Sequence, residues 1–228
     1  MPPASWLYEL RLNGFIVLRN FLPRDFMEAL DAQVRPLVMG YAERVEQGDT
    51  SIVRGHNRVS IDLEPYAKVL AGPLLDARLR RHPEITEMLD TVMGSWRESS
   101  LFAECPLPGS EYMTWHPDTD DAFLSHPLRT ERMTFNVPLG DVNDANAPME
   151  IIPGSHRLHH HDVKEIYSIR QVHAVRLLTS TGDCILRDGN ALHRGTPNLS
   201  SSPRVMLGQT YKLVQPGPIP SETTADPR

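Results

Sequence analysis

Apolar positions recur along this chain with two different periods, and the change between them divides it. Residues 5–12 read as a short helix that Asn13-Gly14 breaks, and Phe15-Ile16-Val17-Leu18-Arg19 then reads as a strand. Pro23 is placed to start a helix, with Asp25 in its first turn, where a carboxylate suits the dipole. Phe26, Leu30, Val34, Leu37 and Tyr41 keep a helical period to about Gln47, with a kink predicted at Pro36 and a stop at Gly48-Asp49. A second amphipathic helix is predicted from Pro83 to Trp96, on a stripe of Ile85, Met88, Leu89 and Val92. Between the two, Val59-Ser60-Ile61-Asp62-Leu63 alternates without fixing an element.

From Leu101 onward the period shortens to runs separated by Pro, Gly, Asn and Asp. Strands are predicted at 111–116, 131–139, 149–152, 172–178, 183–187, 190–194 and 204–213. Short strands with turn signals between them argue for a sandwich or barrel. No internal repeat and no β-α-β alternation is visible. The expected architecture is mainly β with flanking helices: one domain over residues 1–214, with a helical N-terminal third (about 1–97) on an antiparallel core (about 98–214). The Pro-rich end, 215–228, is expected to be a disordered tail.

Composition narrows the function classes more than the fold. The 228 residues are 40% hydrophobic and 23% charged, an ordinary globular balance, with room for a sizeable core. A net charge of −6 and a pI near 5.9 leave no basic field for nucleic acid or an anionic membrane. No apolar run approaches a membrane span, and Met1-Pro2-Pro3-Ala4-Ser5-Trp6 has neither the basic nor the apolar part of a leader. Cys105 and Cys184, not spaced as a C-x-x-C pair, read as free thiols of a reducing compartment. Cytoplasm, a small-molecule partner, and a monomer or homodimer are the expectations.

Candidate chemistry concentrates in Trp115-His116-Pro117-Asp118. His116 and Asp118 sit two apart, which puts both side chains on one face of an extended strand. A second imidazole follows in Leu192-His193-Arg194-Gly195. Two His and one carboxylate with open positions form the ligand set of a non-haem Fe(II) oxygenase. In Arg132-Met133-Thr134-Phe135-Asn136-Val137 the alternate residues are polar, and that face lies either toward water or toward an internal cavity. Ile152-Pro153-Gly154-Ser155-His156 carries a turn signature, His156 being expected to close its own turn.

His116-Pro117-Asp118, the Pro153-Gly154-Ser155-His156 turn, and His193-Arg194-Gly195-Thr196-Pro197-Asn198 followed by Arg204 together resemble the phytanoyl-CoA dioxygenase family. The likeness runs from about Gly14, where Asn-Gly-Phe-Ile-Val-Leu also fits, to about Tyr211. H-x-D alone is a weak signal; the ordered combination is specific. The resemblance implies a double-stranded β-helix (jelly-roll, cupin-like) core and dependence on Fe(II), 2-oxoglutarate and O₂. It implies that His116, Asp118 and His193 hold the metal and that Arg204 takes the distal carboxylate of 2-oxoglutarate, a task suited to a guanidinium. Asn136, with Thr134 second, matches an auxiliary cosubstrate contact, which favours the cavity reading of that strand.

Many relatives carry a hydroxyl residue two positions after the distal His. Gly195 stands there in this chain, and Thr196 or a water is expected to substitute. Related halogenases have Ala or Gly where Asp118 stands, so hydroxylation of a small metabolite or natural-product intermediate is the expected activity. A CoA thioester would favour a basic landing patch, and none stands out. Arg54, His56, Arg58 and Trp115 are candidate substrate contacts, with a solvated strand edge or plain core as the alternative. Asp120 and Asp121, and the His159-His160-His161 tract, read as loop residues. Two other classes stay open: a non-catalytic cupin-like metal or ligand-binding module, and a Zn²⁺ hydrolase, which would have no use for Arg204.

Overall fold

The computed structural model describes residues 2–67, 72, 76–119, 129–158 and 173–214. The expected tail, the Asp120-Asp121 pair and the triple-His tract lie outside the described residues. Among the described residues, nine strands make two antiparallel sheets. The larger runs β1 (Phe15–Leu18), β7 (Cys184–Asp188), β4 (Arg132–Pro138), β9 (Met206–Leu213), β3 (Trp96–Pro106) and β2 (Arg58–Asp62), in that spatial order. The smaller runs β6 (Val175–Leu177), β5 (Met149–Ile151) and β8 (His193–Gly195). The fold is therefore the mainly-β arrangement with flanking helices.

The helices cover one face of the larger sheet. α1 (Ala4–Asn13) ends where Gly14, at φ +83°, donates its N–H to the Leu10 carbonyl. A Cβ at Gly14 would lie 2.6 Å from His156 Nδ1, so only glycine fits under that ring. α2 (Arg24–Glu46) buries Phe26, Leu30, Val34, Val38 and Ala42. It continues through Pro36, which lies on the exposed face, where water can satisfy the carbonyl that lost its donor. Two short helices follow, α3 (Glu64–Ala67) and α4 (Ala77–Arg80), and then α5 (Pro83–Met93). α5 stops three residues before the predicted Trp96, because Gly94 at φ +73° turns the chain. Trp96 instead opens β3.

Two expectations need correction. The eleven-residue β3 was absent from the predicted strands, since its start, Trp96-Arg97-Glu98-Ser99-Ser100, reads as polar. Its neighbours β9 and β2 supply the pairing that its own sequence does not announce. The predicted strand 111–116 is extended chain with single contacts, Met113 N–H to the Gly195 carbonyl and a bridge at His116. The strand expected at 15–19 is present as β1, and with β2 it forms the two edges of the larger sheet.

Side-chain parity sorts that sheet. Leu101, Ala103, Cys105, Met133, Phe135, Val137, Cys184, Leu186, Leu207 and Tyr211 pack with the helices in the main core. The opposite parity turns inward, toward the smaller sheet. There Ile185 and Met206 join Met149, Ile151 and Leu177 in a second core. Both cysteines are buried and free. Among the described residues no helix is long and apolar enough to cross a membrane.

Candidate metal centre

His116 and His193 meet across an antiparallel bridge, each backbone N–H donating to the other's carbonyl at 3.1 Å. Their ring centroids are 4.5 Å apart. The chain then bends, and the Asp118 N–H donates to the Gly189 carbonyl at 2.7 Å. Ligand-capable atoms of His116, Asp118 and His193 lie within 4.8 Å of one another, the one such group among the described residues.

Hydrogen bonds fix which atom each residue offers. His116 Nδ1 lies 2.8 Å from the Thr114 carbonyl and His193 Nδ1 3.0 Å from the Ala191 carbonyl. A carbonyl only accepts, so the protons sit on Nδ1 and each Nε2 presents its lone pair. Arg187 Nη1 is also 3.4 Å from His193 Nδ1, but a protonated nitrogen has no lone pair to give, and the shorter bond decides. Asp118 Oδ2 accepts from Arg187 Nη2 at 2.6 Å and from Thr134 Oγ1 at 3.4 Å. Its Oδ1 faces His193 Nε2 at 3.6 Å.

Electrostatics keep Asp118 and His193 in metal-binding form. Burial pushes the Asp118 carboxyl up, but the adjacent Arg187 guanidinium and the two imidazoles hold it well below the usual carboxylate range. Burial, and then Arg187, push His193 down to about 3. At neutral pH the site thus presents a carboxylate and an uncharged His193.

The group opens on a cavity of about 110 Å³ inside the two sheets. Its charged and polar wall is Arg58, Glu104, Asn136, Arg187, Arg194 and Arg204; Phe102 and three methionines supply the apolar part. Arg204 is buried, and burial followed by Arg58 lowers its pKa to about 10. Its Nη2 donates to the Ala147 carbonyl at 2.8 Å, whereas Nε and Nη1 are buried with no hydrogen-bond partner among the described residues. Thr134 and Asn136, at most 1% exposed, sit on the cavity side of β4, and Asn136 Oδ1 accepts from Arg187 Nε at 3.0 Å. The polar parity of β4 faces inward, not to water.

The remaining candidates divide. Arg58 lines the cavity, while Arg54 and His56 are exposed and do not line it. Trp115 is buried behind the wall, with the Arg194 guanidinium 4.4 Å over its ring. Thr196 Oγ1 donates to the Pro148 carbonyl at 2.7 Å, so its proton is already used. His156 does not close its own turn; its Nε2 lies 3.2 Å from the Arg11 carbonyl, across at the end of α1. Ser155 does the local work, donating to the Ile152 carbonyl and accepting from the Leu192 N–H, which braces the strand carrying His193. Sequence reasoning missed Arg187, Arg194 and Glu104. For Arg187 and Glu104 the available signal was a charged residue on the inward parity of a strand whose other parity is apolar; Arg194, of opposite parity to His193, offered none. A larger cavity, about 340 Å³, opens on the other face of β4 near Met133 and Asp188; it holds none of the three grouped residues.

Residues 10–206 match the family Phytanoyl-CoA dioxygenase (PhyH). The chain belongs to that family. It is accordingly an enzyme of the dioxygenase type. It is 23% identical over 257 residues to the ectoine dioxygenase of Bordetella parapertussis, a match spanning 99% of this chain and 80% of that protein. Solved structures that share the fold include two whose bound or named chemistry is informative. EctD from S. alaskensis, crystallised with 2-oxoglutarate and 5-hydroxyectoine, superposes with a TM-score of 0.68 at 19% identity, covering 92% of this chain and 76% of that one. The α-ketoglutarate-dependent epimerase SnoN from nogalamycin biosynthesis gives 0.63 at 19% identity, over 91% and 81%.

Proposed function

We propose that this protein is an Fe(II)- and 2-oxoglutarate-dependent oxygenase that hydroxylates an aliphatic C–H of a small metabolite or natural-product intermediate. The observation that carries the reading is the pairing, in one cavity, of the His116/Asp118/His193 group with the two partnerless donors of Arg204. Two imidazoles and a carboxylate suit Fe(II), and a buried guanidinium with free donors suits a carboxylate. Relatives named as dioxygenases, and a fold neighbour crystallised with 2-oxoglutarate, support the same pair.

In this reading His116 Nε2, Asp118 Oδ1 and His193 Nε2 hold the metal. Bound iron supplies O₂ activation, coupling decarboxylation of 2-oxoglutarate to succinate and CO₂ with insertion of the second oxygen atom into the substrate C–H. The protein's own part is binding and orientation. Arg187 pins the second oxygen of Asp118, the Thr114 and Ala191 carbonyls hold both rings, and Arg204 receives the distal carboxylate. Asn136 acts through Arg187, since its carbonyl oxygen is bound there. Arg54 and His56 are set aside as substrate contacts because they lie outside the cavity.

The test is an anaerobic titration of metal-free protein with Fe(II) and then 2-oxoglutarate, followed by the visible charge-transfer band, beside His116→Ala and Arg204→Ala. The band should form in wild type, vanish in the first variant and need much more 2-oxoglutarate in the second. Iron binding without a band would favour the non-catalytic module. Product analysis under O₂ then separates hydroxylation from an epimerisation such as the one named for SnoN.

A further inference from the structure

Gly195, where the family's hydroxyl residue is absent, is not merely a gap. A Cβ built there would lie 2.5 Å from Arg58 Nη1 and 2.7 Å from its Cζ, so the guanidinium of Arg58 fills the space that a side chain at 195 would use. Arg58 comes from β2, far away in sequence, and its backbone is in register with Pro106, whose carbonyl also receives the Arg204 N–H. The two arginines therefore flank the same point of β3 and line the same cavity.

Their hydrogen bonding is uneven. Arg58 Nε and Nη2 donate to the Glu111 carbonyl at 3.2 and 2.9 Å, and Nη2 also reaches the Thr196 carbonyl. Nη1, the atom beside Gly195, makes no hydrogen bond to a described residue. Among the other wall arginines, Arg187 is paired with Asp118 and Arg194 with Glu150. Neither Arg58 nor Arg204 forms an ion pair with a described carboxylate. Glu104 shares their cavity, and burial raises its pKa, which weakens it as a counter-charge. Two buried like charges, each with an N–H that no described residue accepts and neither in an ion pair with a described carboxylate, call for an anion between them.

We propose that Arg58, through the Nη1 beside Gly195, gives the second contact to the distal carboxylate of 2-oxoglutarate, so that Gly195 and Arg58 together replace the family's hydroxyl. This rests on the oxygenase reading above. Arg58 is a positioning residue for the cosubstrate; the reaction needs no proton from it. The exchange also explains the glycine, since a serine at 195 and the guanidinium cannot occupy one place.

The experiment measures anaerobic binding of 2-oxoglutarate and of 2-oxovalerate to Fe(II)-loaded protein by the charge-transfer band. 2-Oxovalerate keeps the chelating end and has a methyl in place of the distal carboxylate. Loss of one charge-assisted contact predicts that Arg58→Met weakens 2-oxoglutarate by about 10- to 100-fold. Its affinity for 2-oxovalerate and for Fe(II) should not move. Gly195→Ser displaces Arg58 and should erode the same preference, while the Arg58→Met/Gly195→Ser double variant should bind 2-oxoglutarate more tightly than Arg58→Met. Equal weakening of both oxo acids, or of neither, overturns the proposal and leaves the oxygenase reading intact, because Arg58 then only ties the 111 and 196 backbones. Wild type that binds no 2-oxoglutarate overturns both. If Arg58→Met fails to fold, Gly195→Ser decides: an unchanged preference for 2-oxoglutarate over 2-oxovalerate overturns the proposal.

Discussion

The two ends of the inner cavity are built on opposite terms. Around His116, Asp118 and His193, the atoms not turned toward the shared centre already have protein partners: Thr114, Ala191, Arg187 and Thr134. At the other end, Arg204 keeps two buried guanidinium donors without a partner among the described residues, and Arg58 Nη1 makes no hydrogen bond to a described residue. The first end is rigid before any ligand arrives, as a metal site requires of residues that must converge within a few tenths of an ångström. The second keeps its hydrogen-bonding capacity in reserve, at a cost in stability that a carboxylate would offset. A pinned end and an unsatisfied end teach where each kind of binding energy resides.

The largest effect expected is on the pinned end. His116→Ala should lower Fe(II) affinity by more than about 100-fold, beyond the range for outer partners. Competition with a chelator measures it, and a melting temperature near wild type would show that the fold survives. Next is Arg204→Met, which should weaken 2-oxoglutarate by about 100-fold, two charge-assisted bonds being lost. The same variant should leave the ligand-free protein no less stable, or about 1 kcal/mol more stable, because a buried unsatisfied charge is gone. A large destabilisation in urea would break the contrast between the two ends.

Arg187→Leu tests the pinned end from behind. Stripped of its guanidinium partner, Asp118 would be a half-buried carboxylate held by Thr134 alone, so unfolding free energy should fall by about 1–3 kcal/mol. Fe(II) affinity should fall by about 10- to 100-fold, while the iron-loaded fraction binds 2-oxoglutarate normally. The smallest effect concerns Glu104, whose pKa burial raises above the ordinary carboxylate range. Below that raised value it is neutral and Arg58 and Arg204 carry their full charge. As pH rises through it, the new negative charge offsets the arginines, and 2-oxoglutarate affinity should fall by about 3- to 10-fold. Glu104→Gln should flatten that pH dependence; a slope retained in the variant would assign it elsewhere.

How much of this was legible along the chain follows the range of each interaction. H-x-D spacing, the Pro-Gly turn and His193 with Arg204 are local signals; the structure brings His116, Asp118, His193 and Arg204 to one cavity and sets the turn behind the strand of His193. The strand parity of 132–137 was legible as alternation, but alternation alone could not tell water from a cavity, since either makes one face polar. β3 was not legible, because pairing with β2 and β9 overrides its polar start. Arg187 looked like any charge in a strand until Thr134 was found opposite it and Asp118 beside it.

The sequence by itself determined the family, the mainly-β class with its helical flank, and which residues carry ligand chemistry. These depend on residue type and on spacing over a few positions, where the period of a strand or helix dictates which side chains share a face. Only the tertiary structure decided what lies behind and between them: Arg187 under Asp118, Ser155 under the strand of His193, and Arg58 in the space at Gly195. Each joins residues about 40 or more positions apart across strand pairings that no local pattern encodes, and a glycine's empty volume has meaning only once its occupant is known.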